Sequence, residues 1–595
     1  MWPRLWVSAR RSAVQLNIEN SLKVSLRASS SQAKQVEISD AKLTNSVLQT
    51  EKFHDIRIYN EPIPQYLPGS NEIKDLQKAL KHYENNCEDI PIVINGKEIR
   101  EGQETFQVMP HNKNHKLAKY YYADNATIEE AIRVSVLKQK EWDKTPLKKR
   151  IEIWERAADL MAKKYRADLL ATTMLGQSKT VIQAEIDSGA ELIDFTRMNA
   201  GYLKNLAMEQ PLSPEPGVTK NHLRIRGLEG FVAAITPFNF TAIGGNLAFT
   251  PALMGCSVLW KPSDTAMLSN WTVFKIMREA GVPDGVVNFV PAIGKNFGDA
   301  ITNSPDLAGI NFTGSTATFK TLWKLVGNKI DQYKNYPRLI GECGGKNFHF
   351  IHPSANVETA VAQTIRSAFE YSGQKCSACS RLYVPESLWE SQFKRPLVEK
   401  TKNLKVGDVR EMDSFFSAVI DENSFQRILG FINEAKEDPE CTILTGGNLS
   451  NLKGFFVEPT IIQVKDPNKR VITDEIFGPV LSVYVYKDSD LDKTLDLVRN
   501  TTKYALTGSV FATQELFLKQ ALNEFKDAAG NFYINDKSTG AVVGQQPFGG
   551  ARQSGTNDKA GCPFYLMRFA SLQAVKETFV PLPDIYYPYM NKTTN

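Results

Sequence analysis

Two short segments contain the residue types that covalent oxidation of an aldehyde would need. Glu342 lies in the glycine-rich run 341–347, and Cys376 lies in the run 372–381, which consists mostly of small and polar residues. A thiolate can attack a carbonyl carbon, and a carboxylate can activate the water that hydrolyses the resulting thioester. Because Cys376 follows Glu342 by 34 positions, the fold must bring the two residues together, since no single helix could.

Cys376 also forms a Cys-x-x-Cys motif with Cys379, which is compatible with other chemistry. A structural zinc ion would need a second pair of such ligands, and the sequence contains no second Cys-x-x-Cys motif. A disulfide-exchange site of the thioredoxin type would need a small domain of its own. We therefore expect no metal site. The spacing alone leaves open both a nucleophilic thiol and a buried, inert cysteine at position 376.

Asn239 and Lys261 each follow a predicted strand, at the end of a parallel sheet where ligands usually bind. The Asn239 amide could donate to an oxyanion, or it could cap the helix that follows. Lys261 and Asp264 could hold ribose hydroxyls or a phosphate, and a solvated loop is an equally good interpretation of this segment.

A single glycine, Gly314, joins a predicted strand to a predicted helix in the run 312–316. Backbone N–H groups at the start of such a helix can receive a pyrophosphate. The run lacks the three glycines of the usual dinucleotide fingerprint, so it is a weak signal when taken alone. Glu475, in the turn 475–479, is a carboxylate whose role this turn does not indicate by itself.

Short apolar strands alternate with helices between 231 and 350, which indicates parallel pairing in a doubly wound sheet. The pattern predicts strands at 231–235, 257–260, 286–290 and 308–312. A second α/β series is expected from 348 to about 545, and residues 126–208 have the spacing of helices. The run 231–260 has no charged residue, but its prolines, glycines and asparagines predict a buried strand, loop and helix instead of a membrane span.

The 595 residues are 42% hydrophobic and 23% charged, which is typical of a globular protein with two or three domains. Residues 1–36 contain six basic residues and one acidic residue, so they carry the whole net charge of +5. The neutral remainder argues against a nucleic-acid partner. The basic, serine-rich start predicts a mitochondrial transit peptide, with a disordered tail as the alternative. Seven cysteines are an odd number, which favours a reducing compartment over a disulfide framework.

These segments occur in the same order in one known family. The chain resembles the NAD(P)-dependent aldehyde dehydrogenases, and the matching runs are 235–239, 261–263, 312–316, 342–347, 373–376, 475–479 and 547–550. The resemblance is strongest to the mitochondrial members that oxidise glutamate γ-semialdehyde to glutamate, and it rests on the runs 238–248, 344–350, 373–379 and 544–552. It implies an α/β fold with two doubly wound αβα domains and a β-flap for oligomerisation.

The resemblance also implies a role for each candidate residue. Cys376 would attack the aldehyde, Glu342 would activate water, and the Asn239 amide would hold the oxyanion together with the Cys376 N–H. The cofactor would be NAD, held by residues at strand ends and turns: Thr236, Lys261, Ser263, Gly314, Ser315, Glu475 and Phe477. The substrate would contact a second set: Phe240, Ser377, Gly540, Ala541 and Phe548.

One position departs from the family pattern. The substrate carries an α-carboxylate and an α-amine, and the family anchors the carboxylate with a serine beside the nucleophile and a later Gly-Ser pair. Here the later pair is Gly540-Ala541, so one hydroxyl is missing. We expect a raised KM for the semialdehyde relative to a relative that has the Gly-Ser pair. Two alternatives stay open: an aldehyde dehydrogenase of shifted substrate specificity, and a weakly active duplicate kept for a structural role.

The expected organisation begins with the leader over 1–36 and a largely helical region over 37–213 that belongs to the cofactor domain. The regions that follow are an oligomerisation hairpin over 214–232, an NAD-binding domain over 233–344, a catalytic domain over 345–545, and a C-terminal return with an oligomerisation strand over 546–595. Exposed strand edges in such a flap would promote aggregation, so a homodimer or a higher homo-oligomer is expected. Asp264 favours NAD over NADP, because a carboxylate repels a 2′-phosphate. The expected location is the mitochondrial matrix.

Overall fold

The structure is a computed structural model that describes residues 51–56, 58–580 and 582–590. The predicted leader over 1–36 lies outside the described residues. The described chain divides into two units, of which the larger comprises residues 51–210 and 223–573 and holds both candidate segments. The smaller unit holds residues 211–222 and the chain from 574 onward, and the Phe579 N–H there donates to the Val218 carbonyl at 2.9 Å.

Among the described residues, seven strands form a first sheet in the larger unit. From edge to edge they are Arg338–Glu342, Leu307–Thr313, Phe231–Ile235, Ser257–Lys261, Val287–Phe289, Ile92–Ile94 and Lys97–Ile99. The first five are parallel, and the last two are antiparallel additions. The four strands predicted between 231 and 312 are therefore confirmed. Their near-continuous apolar sequences suit strands that are buried on both faces.

A second sheet is formed by strands that follow Cys343 in the chain, and it also has seven strands within the described residues. Its strands are Cys441–Thr445, Thr460–Val464, Val480–Tyr486, Cys379–Pro385, Asn347–Ile351, Thr507–Phe511 and Asn531–Ile534, in spatial order. Only the edge strand Cys441–Thr445 pairs antiparallel with its neighbour. The two largely parallel sheets confirm the predicted α/β fold class.

Helices connect and cover the strands of both sheets. Before and around the first sheet they are Asn71–Asn85, Asn125–Trp142, Leu147–Lys163, Arg166–Gln177, Val181–Ala184, Leu192–Met208, Thr241–Leu253, Met267–Glu279, Gly294–Asn303 and Thr316–Gly327. Around the second sheet and at the C-terminal end they are Val357–Phe369, Glu386–Leu388, Lys394–Lys402, Glu422–Glu437, Arg470–Thr473, Leu491–Asn500, Glu515–Glu524 and Pro563–Met567. None of the described helices has the length and apolar character that crossing a membrane would need. The uncharged run 231–260 is a strand, a loop, a buried helix and a second strand, as predicted.

Smaller sheets complete the described structure. A three-stranded sheet consists of Glu88–Ile90, Asn112–Tyr122 and Gln103–Met109, within the region 37–213 that was expected to be largely helical. Two short antiparallel pairs are Leu449–Ser450 with Phe456–Val457 and Tyr504–Ala505 with Ala551–Arg552.

The predicted hairpin over 214–232 is wrong. The segment contains one strand, Thr219–Gly227, whose sheet partner is the distant strand Ala570–Thr578. After a short turn the chain enters Phe231–Ile235, which belongs to the first sheet. The reason is burial: the fully apolar sequence of Phe231–Ile235 suits a central parallel strand, while the preceding strand is only partly buried along most of its length.

The topology brings the candidate segments to one edge of the first sheet. Thr236, Ser263, Gly314 and Glu342 all lie at or just after the carboxyl ends of its parallel strands. Ligands of parallel sheets bind beyond these ends. Cys376 lies just before the strand Cys379–Pro385, in a loop at the amino end of the second sheet.

Candidate active site

The loop that carries Cys376 begins with a run of left-handed backbone. Tyr371, Ser372 and Gly373 have φ values of 53°, 55° and 64°. A side chain at Gly373 would place its Cβ 2.2 Å from the Gly478 carbonyl oxygen, so glycine is required there. This run ends the helix Val357–Phe369 and turns the chain toward the first sheet. Strained backbone of this kind is often found where a reactive side chain is presented.

Asn347 fixes the far side of the same loop. Its amide donates to the carbonyl of Cys376 at 2.6 Å and to the carbonyl of Ala378 at 2.9 Å. Its own carbonyl accepts from the backbone N–H of Thr507 at 2.9 Å. Both ends of the side chain are therefore satisfied inside the protein. The sequence indicated the run 344–347 as a motif but did not assign this positioning role to Asn347.

Asn239 faces the Cys376 loop. It is buried, and its Nδ2 donates to the carbonyl of Gln374 at 3.1 Å. A side-chain amide has two N–H groups, so one donor stays available for an oxyanion near the thiol. The alternative interpretation of Asn239 as a helix cap is wrong, because the helix Thr241–Leu253 begins two residues later and has Phe240 at its N-cap position.

Asp187 satisfies the start of that helix instead. Its carboxylate accepts from the backbone N–H of Thr241 at 2.9 Å and of Ala242 at 2.8 Å. Lys179 forms a buried ion pair with Asp187 at 2.8 Å, and its ammonium lies 3.9 Å from the centre of the Phe240 ring. Burial lowers the pKa of Lys179, and the Asp187 carboxylate opposes that shift. The pair thus positions the turn that carries Asn239 and Phe240.

The ion pair was missed at the sequence level. Lys179 and Asp187 lie in a stretch with helical spacing, where charged residues usually face solvent. Lys179 follows Ser178, which has left-handed backbone, and Asp187 lies inside the π-helical turn Glu185–Glu191. Neither feature has a recognisable signal in the sequence.

A cavity of about 430 Å³ lies between the strand ends of the first sheet and the Cys376 loop. Eight of the predicted residues line it: Thr236, Asn239, Ser263, Gly314, Ser315, Cys376, Glu475 and Phe477. The predicted nucleophile, the predicted oxyanion donor and most of the predicted cofactor residues therefore line one cavity. Ser424 and Arg427 also line it, and the sequence reading did not identify them.

The lining residues suit a ligand with a pyrophosphate and ribose hydroxyls. Ser315 caps the helix Thr316–Gly327 by accepting from the Thr318 N–H at 3.2 Å, so the positive end of this helix faces the cavity. Glu475 is half-buried, its carboxylate accepts from the Gly345 N–H at 2.9 Å, and burial raises its pKa. A Cβ at Gly344 would lie 2.1 Å from the same carboxylate, so only glycine leaves room for it.

Lys261 lies at the end of the strand Ser257–Lys261, next to this cavity. Its ammonium donates to the Pro262 carbonyl at 3.0 Å and lies 3.8 Å from the Asp264 carboxylate. Burial lowers the pKa of Lys261, because its charge is poorly solvated there. Hydroxyl groups of a bound ribose would complete the hydrogen bonding of this ammonium.

The remaining predicted cofactor residues have local roles as well. The Thr236 hydroxyl accepts from the Trp260 indole N–H at 3.0 Å, which fixes the turn before Asn239. Phe477 has a φ of 56°, and its ring packs edge-to-face on Phe238 at 5.8 Å. These contacts shape the wall of the cavity.

Glu342 ends the strand Arg338–Glu342 and lines a second, smaller cavity. Its Oε1 is buried and accepts no hydrogen bond from any residue that the structure describes. Burial raises the pKa of Glu342 to about 8, although Lys559 favours the charged form. The second cavity has about 50 Å³ and is also lined by Glu191 and Phe548. It has room for on the order of three water molecules.

The Cys376 thiol is neutral at rest. Burial raises its pKa well above the usual value, and the carboxylates of Glu342, Glu475 and Glu191 raise it further. A positive charge brought into the cavity by a ligand would have the opposite effect. Burial and these three carboxylates therefore favour the protonated thiol.

Two of the predicted substrate residues, Ser377 and Gly540, belong to loops that are linked by a hydrogen bond. The carbonyl of Ser377 accepts from the hydroxyls of Thr507 and Ser538, each at 3.1 Å, which ties the Cys376 loop to the loop before Gly540. Gly540 has a φ of 82°, and Ala541 follows it at the surface of this loop. Phe548 lines the cavity of Glu342, whereas Phe240 packs on Lys179.

Residues 99–575 match the model of the Aldehyde dehydrogenase family, and the chain belongs to this family. It is 53% identical over 537 residues to the mitochondrial delta-1-pyrroline-5-carboxylate dehydrogenase of Danio rerio, covering 90% of this chain and 96% of that protein. It is 54% identical over 548 residues to the mitochondrial enzyme of the same name from Homo sapiens, covering 92% and 97%.

A solved structure supports the same relationship. The Delta-pyrroline-5-carboxylate dehydrogenase from Mycobacterium tuberculosis, bound with NAD, superposes with a TM-score of 0.87 at 42% identity. The match covers 91% of this chain and 100% of that chain. The fold and most of the length are therefore common to both proteins.

Proposed function

We propose that this chain oxidises L-glutamate γ-semialdehyde, which forms from delta-1-pyrroline-5-carboxylate, to L-glutamate with NAD as the hydride acceptor. This is the oxidation of the proline-derived aldehyde in proline catabolism. The observation that carries the proposal is the contact of the Asn239 amide with the Cys376 loop at the wall of one cavity that also contains Gly314, Ser315 and Glu475. The names of the similar proteins point to the same substrate.

In the first half of the reaction, the Cys376 thiol releases its proton to water, and the sulfur of the resulting thiolate bonds to the aldehyde carbon. The carbonyl oxygen becomes negatively charged, and the free N–H of the Asn239 amide and the Cys376 backbone N–H stabilise it. NAD, when bound, supplies the acceptor for the hydride that leaves this carbon. Cys376 then carries the substrate as a thioester.

In the second half, Glu342 takes a proton from water. Its carboxylate lies beside a cavity large enough for several water molecules, and its raised pKa makes it a suitable base near neutral pH. The hydroxide attacks the thioester carbon, and the carbon–sulfur bond breaks. L-Glutamate leaves, and the Cys376 thiol is restored.

Separate groups of residues hold the two ligands. The first turn of the helix Thr316–Gly327, with Gly314 and Ser315, supports the pyrophosphate, while Lys261 and Glu475 hold the riboses. Asp264, 3.8 Å from the Lys261 ammonium, disfavours a 2′-phosphate and so favours NAD. Ser377, Gly540 and Ala541 anchor the α-carboxylate of the substrate, and Phe240 and Phe548 contact its aliphatic part.

The assembly and location belong to the same proposal. The strands Thr219–Gly227 and Ala570–Thr578 form a narrow two-stranded sheet, and pairing of its edges with a second copy would give a homodimer or a higher homo-oligomer. The basic leader over 1–36, together with the mitochondrial names of the relatives, supports the mitochondrial matrix as the location.

Steady-state kinetics test the proposal directly. The purified chain is assayed with delta-1-pyrroline-5-carboxylate and either NAD or NADP, and with butanal, an aldehyde that lacks the α-carboxylate. We expect the highest kcat/KM for the pyrroline substrate with NAD. An equal or greater kcat/KM for butanal would support the alternative of a shifted specificity, and no NADH formation from either aldehyde would support the structural duplicate.

The substitution Ala541→Ser is expected to lower the KM for the semialdehyde. It restores the hydroxyl of the Gly-Ser pair, and one hydrogen bond to a charged group contributes about 1.5–3 kcal/mol, or roughly one to two powers of ten in affinity. The check is kcat/KM for the semialdehyde, with butanal as the control substrate. An Ala541→Ser variant that gains nothing would mean that the missing hydroxyl does not limit binding.

A further inference from the structure

The ammonium group of Lys537 has no carboxylate partner, although the side chain is half-buried beside the Gly540-Ala541 loop. Within the described parts of the chain it forms no ion pair at 4.0 Å or less. Its hydrogen bond to the Thr539 carbonyl is long, at 3.4 Å. An ammonium has three N–H donors, so this environment leaves it poorly satisfied. A half-buried charge without a counter-charge is costly unless a ligand supplies one.

The neighbouring carboxylate is already occupied. Both oxygens of Glu370 are used, one by Arg366 at 2.8 Å and the other by Lys375 at 3.1 Å. Asp536 accepts from the backbone N–H of Lys537 at 2.7 Å and is exposed to solvent. Arg366, Lys375 and Lys537 therefore give this corner of the site an excess of positive charge. Burial lowers the pKa of Lys537, the Glu370 and Asp536 carboxylates oppose that shift, and repulsion from Lys375 and Arg366 adds to it.

Lys537 is next to the residues that would hold the substrate. A Cβ added to Gly540 would lie only 2.6 Å from the Lys537 ammonium nitrogen, so the ammonium lies against the backbone of the anchor loop. The same loop is tied to the nucleophile loop, since the Ser538 hydroxyl donates to the Ser377 carbonyl. Lys375, the other lysine of the cluster, directly precedes Cys376.

We propose that Lys537 binds the α-carboxylate of the substrate and selects aldehydes that end in a carboxylate. This inference rests on the proposed function, because it assigns a new contact in the same site. It also bears on Ala541, because the Lys537 ammonium supplies part of the binding of the substrate carboxylate that the missing hydroxyl would contribute. A charge-assisted hydrogen bond to a carboxylate is stronger than one from a neutral hydroxyl.

The test removes the charge of Lys537 and keeps the length of the side chain. In Lys537→Met we expect kcat/KM for the semialdehyde to fall about tenfold, mainly through KM, because the contact is partly solvated. We expect kcat/KM for butanal, which has no carboxylate, to stay unchanged. Lys537→Arg should retain most of the preference for the semialdehyde. The exposed Lys526 provides the matched control, since Lys526→Met should change neither substrate.

Equal loss for both aldehydes, or no loss for either, would overturn the role of Lys537. Lys537→Gln gives a second charge-free variant if the methionine variant fails to fold, as judged by its thermal unfolding. Titration calorimetry with L-glutamate is the readout that does not depend on turnover, and Lys537→Met should bind it about tenfold more weakly. If the unmodified protein oxidises butanal but not the semialdehyde, the proposed function fails. In that case, the titration with L-glutamate still tests whether Lys537 binds the α-carboxylate.

Discussion

Replacing Cys376 with alanine is expected to reduce NADH formation by at least about 10⁴-fold, because Cys343, the other thiol that lines the cavity, is buried and its pKa is raised to about 12 by burial. The cavity wall presents the Cys376 thiol opposite the Asn239 amide, and the loop is fixed by Asn347 on its other side. Mass spectrometry of the protein trapped during turnover should show an acyl adduct at Cys376. Alanine at this position should leave the protein folded, since the side chain is only partly buried.

Cys379→Ala is the matched control for this result. Cys379 is buried behind the loop, and its thiol donates to the Arg381 carbonyl at 3.5 Å. If Cys376 acts as a nucleophile, Cys379→Ala should retain activity within a few-fold of the unmodified chain. If the Cys-x-x-Cys pair acted in disulfide exchange instead, both variants would lose activity together. NADH formation that survives in Cys376→Ala would rule out the covalent mechanism.

The sequence predicted the parallel core well because the signal there is local. Strands such as Phe231–Ile235 and Leu307–Thr313 are short apolar runs bounded by turns, and their alternation with helices determines parallel pairing. The last two strands on one side of this sheet, Ile92–Ile94 and Lys97–Ile99, join it from a distant part of the sequence. Nothing in their composition indicates which sheet they extend. The same reasoning explains the incorrect hairpin, since the partner of Thr219–Gly227 lies more than 300 positions further along the chain.

The candidate site shows the same difference between local motifs, which the sequence reveals, and long-range contacts, which it does not. Glycine turns and strand ends indicated Asn239, Gly314, Glu342 and Cys376, since each of these residues lies in a recognisable local motif. The residues that orient them were not predicted. Asp187 reaches the helix that follows Asn239 across 54 positions, and its effect depends on burial that only the folded chain creates. Positioning contacts of this kind have no fixed spacing, so a motif search cannot find them.

The two halves of the reaction depend on the protonation of different groups, the Cys376 thiol and the Glu342 carboxyl, and should therefore differ in their dependence on pH. Burial and three carboxylates raise the pKa of the Cys376 thiol, while burial raises that of Glu342 to about 8. Acylation needs the thiolate, and hydrolysis needs the carboxylate form of Glu342. Both rates should therefore increase with pH, but the rate of hydrolysis should level off once the pH exceeds about 8, where Glu342 has lost its proton.

Glutamine at position 342 is expected to stop the reaction after one turnover. Glu342→Gln keeps the size of the side chain and resembles its protonated form, so the fold and the first half of the reaction should be preserved. Hydrolysis loses its base, and the steady rate should fall about 10²–10⁴-fold. Rapid mixing with the semialdehyde and NAD should give a burst of about one NADH per site, followed by a very slow phase.

The acyl adduct and the pH profile complete the test of Glu342. The Glu342→Gln protein should accumulate the adduct at Cys376, and its slow phase should no longer increase as the pH passes through about 8, where the unmodified protein gains its carboxylate. Glu191→Gln is the control, because Glu191 lines the same cavity as Glu342 and takes no part in the proposed steps. That variant should turn over continuously. If the Glu342→Gln protein gave no burst, Glu342 would instead be needed for the acylation of Cys376, which precedes hydrolysis of the thioester.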